Sequence, residues 1–383
     1  MEIIAVILLM PVLIYAGVLL VFQTGLQKQE VHRSQDQPGI SIVIAARNEE
    51  KNLPDLLEDL AKQTYPADRT EMIIADDHSE DRTAEIVRRF ARQDPRFHLI
   101  SVESTIPGFT AKKNALTQAL RRARGEIILS TDADCRVLPG WAETMISYFN
   151  ENTGMVVGFS QLCAPDTHCT HFQKLQAVDF LMLMAAARGS ANLGWAWAAS
   201  GQNLAYRKSV YHEVGGFSEI GHRISGDDVL LLQLIRKKTR WKVRFASSQN
   251  AYTHTQAEST LSALINQRKR WASNGSYQWK LNKLFFMYVV ITFLANLILL
   301  GSVPIILIVP GLSGLVLIGW GIKWLVEASL FISGCRIFKR TDLLPFFPVW
   351  FLIQIPYVVF IGIQGTLTGF HWKNRTHHSP EQK

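Results

Sequence analysis

Asp132 and Asp134 stand one residue apart at the end of an apolar run, residues 126–130. Alternate carboxylates at a strand end can turn toward one point. That suits a hard divalent cation such as Mg²⁺ or Mn²⁺, with diphosphate oxygens completing its coordination. A cation held there would neutralise charge building on a leaving group. An Asp-x-Asp pair is common, so its companions matter. Two other polar turns follow apolar runs: Ala46-Arg47-Asn48-Glu49-Glu50, and Asp76-Asp77-His78-Ser79 with Asp81 beyond. Ser79 and Asp81 are equally suited to capping the helix that follows.

Gly226-Asp227-Asp228 precedes a strong helical pattern, residues 229–236. It reads either as a helix start with carboxylates in its first turn or as a general base for a hydroxyl proton. Gln267 and Arg270 are three apart and share a helical face. The arginine can grip a phosphate, and the Trp271 ring can meet a sugar. The whole run Gln267-Arg268-Lys269-Arg270-Trp271 also reads as a basic-aromatic anchor at a membrane border.

Positioning these turns requires a regular frame. Residues 40–45, 71–75, 98–102 and 126–130 are short β-rich runs. Between them lie helical patterns at 49–63, 83–93 and 112–124, the first with Leu53, Leu56, Leu57 and Leu60 on one face. This alternation predicts an α/β unit with a mostly parallel sheet. Ligands of such sheets bind beyond the carboxyl ends of the strands, where the polar turns sit. No internal repeat or low-complexity tract interrupts the pattern.

Hydrophobic residues make up 48% of the 383 residues and charged residues 19%. The apolar residues concentrate before residue 23 and after residue 283, so a polar domain flanked by membrane segments is expected. Residues 3–22 are long enough to span a bilayer. Glu2 precedes them and Lys28, His32 and Arg33 follow, which favours an uncleaved anchor and a cytoplasmic domain after it. Residues 284–310, 312–333 and 345–365 are three more candidate spans. Lys323 and Glu327, four apart in the second, can pair. Three spans would leave the tail outside, whereas Trp372, Lys373 and Arg375 read as a cytoplasmic border, so one segment is expected to be interfacial or re-entrant. The net charge of +8 is spread over helix faces and juxtamembrane sites, which fits anionic lipid headgroups and argues against nucleic acid. Cys135, Cys163, Cys169 and Cys335 have no CxxC spacing, so neither a zinc site nor a disulfide framework is expected, and the bulk suits a reducing compartment.

Together, Ala46-Arg47-Asn48-Glu49, Asp76-Asp77-His78-Ser79, Thr131-Asp132-Ala133-Asp134, Gly226-Asp227-Asp228 and Gln267-Arg268-Lys269-Arg270-Trp271 resemble the family 2 inverting glycosyltransferases of GT-A fold. The resemblance implies a nucleotide-sugar donor, a UDP-sugar by family habit, and an Mg²⁺ or Mn²⁺ cofactor. It implies that Asp76 and Asp77 meet the nucleotide, that Lys112 lies near the donor, that Asp132 and Asp134 hold diphosphate and metal, and that Asp228 is the base. Gln267, Arg270 and Trp271 match the Gln-x-x-Arg-Trp motif of cellulose, chitin and hyaluronan synthases and of ceramide glucosyltransferase-like enzymes. Gly201, Gln202 and Asn203 resemble the acceptor-side turn. The chain departs from the family at His78 and Ala111, where glycine is usual, and at Gly226-Asp227, where Thr-Glu or similar is frequent.

The expected organisation is an anchor over 1–24, a cytoplasmic GT-A domain over 38–272, transmembrane or interfacial helices over 284–368 and a basic tail over 369–383. The protein would then be integral to a membrane, the inner membrane in a bacterium. About four spans are few for an export channel, so a lipid acceptor is expected before a glycan one. A small processive polysaccharide synthase is the alternative, and a catalytically silent scaffold is opposed by the intact acidic motifs. Residues 180–187 with Trp195 and Trp197 read as a packed helix or as an amphipathic surface meeting the bilayer. No residue reads out the sugar.

Overall fold

The computed structural model describes residues 2–28, 34–165, 167–367, 370–372 and 375–377. In chain order the elements are α1 (Glu2–Leu26), β1 (Ile40–Ala46), α2 (Leu53–Ala61), β2 (Thr70–Asp76), α3 (Thr83–Gln93), β3 (Phe97–Ser101), α4 (Ala111–Arg122) and β4 (Ile127–Ser130). Next come β5 (Arg136–Val137), α5 (Trp141–Ser147), β6 (Thr153–Gly158), β7 (Ser160–Leu162), α6 (His171–Asn192), β8 (Leu204–Arg207), α7 (Lys208–Glu213), α8 (Val229–Lys238), β9 (Lys242–Ala246) and β10 (Thr253–Thr255). The last are α9 (Leu261–Ala272), α10 (Gln278–Leu281), α11 (Lys283–Ile308), α12 (Ser313–Ile337), α13 (Phe347–Leu367), β11 (Phe370–Trp372) and β12 (Arg375–His377).

The chain divides into two units: Gln29–Asp166 with Gly194–Gln256, and Met1–Lys28 with Thr167–Leu193 and Ala257–Lys383. Helices α6 and α9, which lie within the expected 38–272 domain, are grouped with the long apolar helices in the second unit.

The first unit is built on a seven-stranded sheet of order β3-β2-β1-β4-β8-β6-β9. Neighbours are parallel except where β8 pairs antiparallel to β4 and β6. Strands β1, β2 and β4 are buried nearly throughout, so they read as continuous apolar runs. Leu53, Leu56, Leu57 and Leu60 of α2 are wholly buried against this sheet's core, as their spacing predicts. The helix expected from residue 49 begins at Leu53, because the amides of Glu49 and Glu50 are taken by Thr83 Oγ1 (2.8 Å) and Asp81 Oδ2 (3.0 Å). A small second sheet has the order β5-β10-β7.

Among the described residues the second unit holds four helices long and apolar enough to cross a membrane, within Leu9–Leu26, Lys283–Ile306, Pro310–Ile337 and Thr341–Gly365. None is shorter than a bilayer requires, so the expectation that one is interfacial has no support in length. Positions 368, 369, 373, 374 and 378–383, and with them most of the expected basic tail, lie outside the described residues. Helices α1 and α6 cross at glycines: a Cβ on Gly189 would lie 2.5 Å from the Phe22 carbonyl oxygen. Small residues permit that approach. Arg188 donates to the Leu26 carbonyl (2.7 Å) and Asn192 to that of Gly25 (3.0 Å), closing the open end of α1. Most of residues 180–187 are buried, so the packed-helix reading applies to that run. Lys323 and Glu327 pair at 2.7 Å, as their spacing predicts, with both side chains fully buried. Glu327 also accepts from Tyr15 (2.6 Å) and Gln354 (2.5 Å), so all its oxygens are used.

Cys135 and Cys335 are free and buried, whereas Cys163 and Cys169 are disulfide-bonded.

Candidate active site

The carboxyl ends of β1 and β2 are adjacent in register, with Ala46 beside Asp76. Asp76 and Asp77 are almost fully buried there. Asp76 Oδ1 accepts from the Ser79 amide (3.3 Å), and Asp77 meets Arg47 at 3.5 Å and His78 Nδ1 at 3.2 Å. His78 has φ +58°. The glycine usual at this position in the resembled family therefore answers a left-handed backbone, which histidine tolerates better than most residues. Ser79 and Asp81 do structural work: Ser79 Oγ accepts from the Asn48 amide (2.9 Å) and Asp81 from Thr83 (2.9 Å). Burial works to raise the Asp81 carboxyl, but the bonds from Thr83 and Glu50 outweigh it and hold it below its ordinary value.

Strand β4 ends at Ser130, and the Asp132–Cys135 turn follows, closed by the Cys135 amide on the Asp132 carbonyl (3.1 Å). Asp132 is half-buried and Asp134 exposed. Lys112, in the first turn of α4, sets its ammonium 2.8 Å from Asp132 Oδ1 and 2.8 Å from Asp227 Oδ2. Burial alone would lower its pKa; the two carboxylates win and raise it, so it is a permanent cation. Burial likewise works to raise Asp227, and Lys112 and Lys113 overcome it to hold Asp227 at about 2.

Asp228 is the N-cap of α8, accepting from the Val229 amide at 2.6 Å, and its other oxygen accepts from the Gly201 amide at 2.8 Å. The helix-start reading of Gly226-Asp227-Asp228 holds, with Asp228 as the cap. Burial and the Asp227 charge raise the Asp228 carboxyl above its ordinary value despite these two bonds. Gly226, at φ +85°, makes the turn that separates the two carboxylates from the preceding backbone.

A Cβ on Gly201 would stand 3.4 Å from Asp227 and 3.6 Å from both Asp228 and Lys112, so Gly201 faces the whole cluster. The Gln202 carbonyl accepts from Thr131 Oγ1 (2.9 Å). Asn203 is wholly buried. It accepts from Trp141 Nε1 (3.0 Å) and donates to the carbonyls of Phe159 (2.9 Å) and Ala251 (2.7 Å). Its amide is spent on the interior, holding the turn rather than facing outward.

Asp132 and Asp134 offer two oxygen ligands at one turn, and no group of three His, Cys, Asp or Glu poised for a metal occurs among the described residues. Such a set fits a hard cation that draws its other ligands from diphosphate and water. The neighbouring Cys135 thiol is buried and pushed well up, chiefly by burial and then by Asp134 and Asp132, so it supplies no thiolate.

Gln267, Arg270 and Trp271 lie on α9, in the other unit. Thr260 caps this helix through the Ala263 amide (3.2 Å). Gln267 donates to Glu258 (2.9 Å), and the Trp271 ring packs 4.2 Å from the Arg268 guanidinium, which meets Asp179 at 2.9 Å.

Three further residues join the cluster without a distinguishing signal in the sequence: Asp227 resembles its neighbour Asp228, Arg47 stands in a polar turn, and Lys113 is marked only by standing next to Lys112.

Residues 41–215 match the model of glycosyl transferase family 2. The fold agrees: a mannosyltransferase from Pyrobaculum calidifontis, solved with GDP-Man and Mn²⁺, superposes with a TM-score of 0.60 over 94% of this chain and 98% of that one, at 17% identity. The sheet is therefore GT-A-like. A probable glycosyltransferase of Bacillus subtilis is 27% identical over 63% of this chain and 56% of its own length. A beta-monoglucosyldiacylglycerol synthase of Synechocystis is 26% identical over 62% of this chain and 48% of its own. The chain thus spans about half the length of these curated relatives.

Proposed function

We propose that this protein is an inverting glycosyltransferase that moves a sugar from a nucleotide-diphospho-sugar to a membrane lipid at the cytoplasmic face. The observation that carries the reading is the ionic cluster Asp132–Lys112–Asp227 beside Asp228, at the ligand-binding edge of a GT-A-like sheet.

Asp76, Asp77 and Arg47 meet the nucleotide. Asp132 and Asp134 would hold Mg²⁺ or Mn²⁺, which when bound supplies positive charge against the departing diphosphate. Lys112 adds a fixed cation to the same place. Asp228 takes the proton of the acceptor hydroxyl. That oxygen bonds to the anomeric carbon while the bond to the diphosphate breaks, the diphosphate leaves with the electron pair, and the configuration inverts. A carboxylate raised above its usual range is a better base near neutral pH. Positioning and preorganised charge supply most of the acceleration. Gly201 and Gln202 border the acceptor, with Asn203 fixing their turn from within.

Four apolar helices of spanning length favour an acceptor drawn from the bilayer. The Synechocystis relative, by its name, makes a glucosylated diacylglycerol, which supports the same choice. Gln267, Arg270 and Trp271 keep the donor role that the motif resemblance gives them, and with it the alternative of a short polysaccharide. Membranes containing the protein, incubated with a panel of radiolabelled nucleotide sugars with and without chelator, test the reading. Chelator-sensitive label in the organic extract is expected; label confined to high-mass insoluble material would replace the lipid acceptor with a polymer, and no transfer from any donor would remove the enzymatic reading.

A further inference from the structure

Lys113 has no part in the chemistry above, yet it is one of the largest wholly buried side chains of the chain. Adjacent helix residues point about 100° apart. Lys112 bonds the carboxylates of Asp132 and Asp227; Lys113, one helix step on, donates to the carbonyls of Arg223 and, at 2.9 Å, Ser225, beside the same aspartate turn. Thr110 helps: its hydroxyl donates to the Arg223 carbonyl at 3.1 Å and its amide to that of Gly221 at 2.8 Å. The start of α4 is thus stitched to the backbone that runs directly into Gly226, Asp227 and Asp228.

A buried ammonium is costly unless something repays it. The charged groups that face Lys113 are Asp227 and Asp228, which favour its charge, and Lys112 and Arg223, which oppose it. Burial is the largest influence and lowers the amine to about 8, so at neutral pH it is still a cation. A neutral residue could fill the space; an ammonium also sets the field at the two aspartates.

We propose that Lys113 is a positioning residue for transfer: it clamps the 223–225 backbone and, as a charge, keeps the Asp228 carboxylate aimed and ionised. This rests on Asp228 being the base.

The test compares Lys113→Met, Thr110→Val and Asp228→Asn in the full-length protein in detergent. The donor is whichever of UDP-glucose, UDP-galactose, UDP-N-acetylglucosamine and GDP-mannose turns over fastest. Lys113→Met should lower kcat by about tenfold or more with donor KM within about twofold, and move the acid limb of the pH profile upward, because a cation near the carboxylate is lost. Thr110→Val loosens the same carbonyl without removing charge, so its limb should stay in place. Amide exchange gives a substrate-free reading: the Gly201 and Val229 amides, which bond Asp228, should exchange about tenfold faster in Lys113→Met. An unmoved limb or unchanged exchange in Lys113→Met overturns the proposal while Asp228→Asn stays inactive; an active Asp228→Asn instead removes the base assignment. Should Lys113→Met not fold, Lys113→Gln carries the same comparison, and failure of both to fold overturns the proposal by making Lys113 a structural residue.

Discussion

Lys112 sets one ammonium 2.8 Å from Asp227, and the same nitrogen reaches Asp132 at equal distance. Two turns far apart in sequence are thereby held by a single cation. One turn ends β4 and carries the candidate metal ligands; the other opens α8 and carries the candidate base.

Replacing Lys112 by Met should therefore cost more than a surface lysine would. We expect a fall in kcat of about 100-fold or more, the scale seen when a preorganised charge at a reacting centre is removed. Two carboxylates also lose their counter-charge, so the melting temperature should drop. Steady-state kinetics with a thermal melt checks both; a kcat within threefold of the parent contradicts the role.

Asp134 is exposed, so Asp134→Asn should leave stability within about 0.5 kcal/mol of the parent. Transfer should fall sharply and its dependence on added Mn²⁺ or Mg²⁺ should weaken. A metal titration of the initial rate on a variant of normal melting temperature separates the two effects. Full activity at the parent's metal concentration would mean that Asp134 binds no metal.

The two aspartates at the start of α8 carry opposite pH signatures. Asp227 sits at about 2 in the folded state, below its ordinary 3.8, so its stabilising effect is complete above pH 4 and is lost as pH falls toward 2. Asp228 is raised, so the folded state holds its proton more tightly than the unfolded chain does. Its contribution is therefore complete below its ordinary 3.8 and is lost as pH rises above that value through the raised folded-state pKa. Asp227→Asn should lose more stability at neutral pH than Asp228→Asn, which gives up one backbone bond but relieves a buried charge, measured by denaturant melts at pH 5 and 7. The reverse order would refute the electrostatic description.

Gly158 packs directly on Asn203: a Cβ there would stand 2.3 Å from the amide carbon. Gly158→Ala should destabilise by about 1–3 kcal/mol through overpacking. Asn203→Ala should cost at least as much, since it strands Trp141 Nε1 and the Ala251 carbonyl at roughly 1–3 kcal/mol for each unsatisfied group, while the Phe159 carbonyl keeps its bond from the Thr253 amide. Chemical denaturation of both variants checks this, and near-parent stability for Asn203→Ala would show that the turn does not need its amide.

Among the apolar helices, Glu327→Gln or Lys323→Met should each destabilise by about 3–5 kcal/mol, because the surviving charge is left buried without its counter-charge. The double variant Lys323→Met, Glu327→Leu should recover much of that loss. A double-mutant cycle on detergent stability gives the coupling; additive losses would mean the pair is not a unit.

The sequence made some of this legible and hid the rest for physical reasons. Strand and helix positions from residue 40 to 130 were readable because each strand is a buried apolar run bounded by polar turns, and α2 shows its four leucines at helical spacing. Asp132, Asp134 and Asp228 were readable because strand ends and helix starts are where acidic residues stand out. The partnership of Lys112 with Asp227 was not, since it depends on two loops meeting over more than a hundred residues. Nor was the inward turn of Asn203, which looks like any polar residue in a Gly-Gln-Asn sequence until Trp141 is seen donating to it. Helix α6 is of mixed polarity in its own sequence, and its glycine contact and hydrogen bonds with α1 show which unit it joins.

The most direct measurement is the turnover of Asp228→Asn against the parent, on the same donor, in protein of matched melting temperature. If Asp228 takes the acceptor proton, kcat should fall by about 100- to 10,000-fold, with donor KM nearly unchanged. Transfer by Asp228→Asn at the parent's rate would contradict the account at its centre.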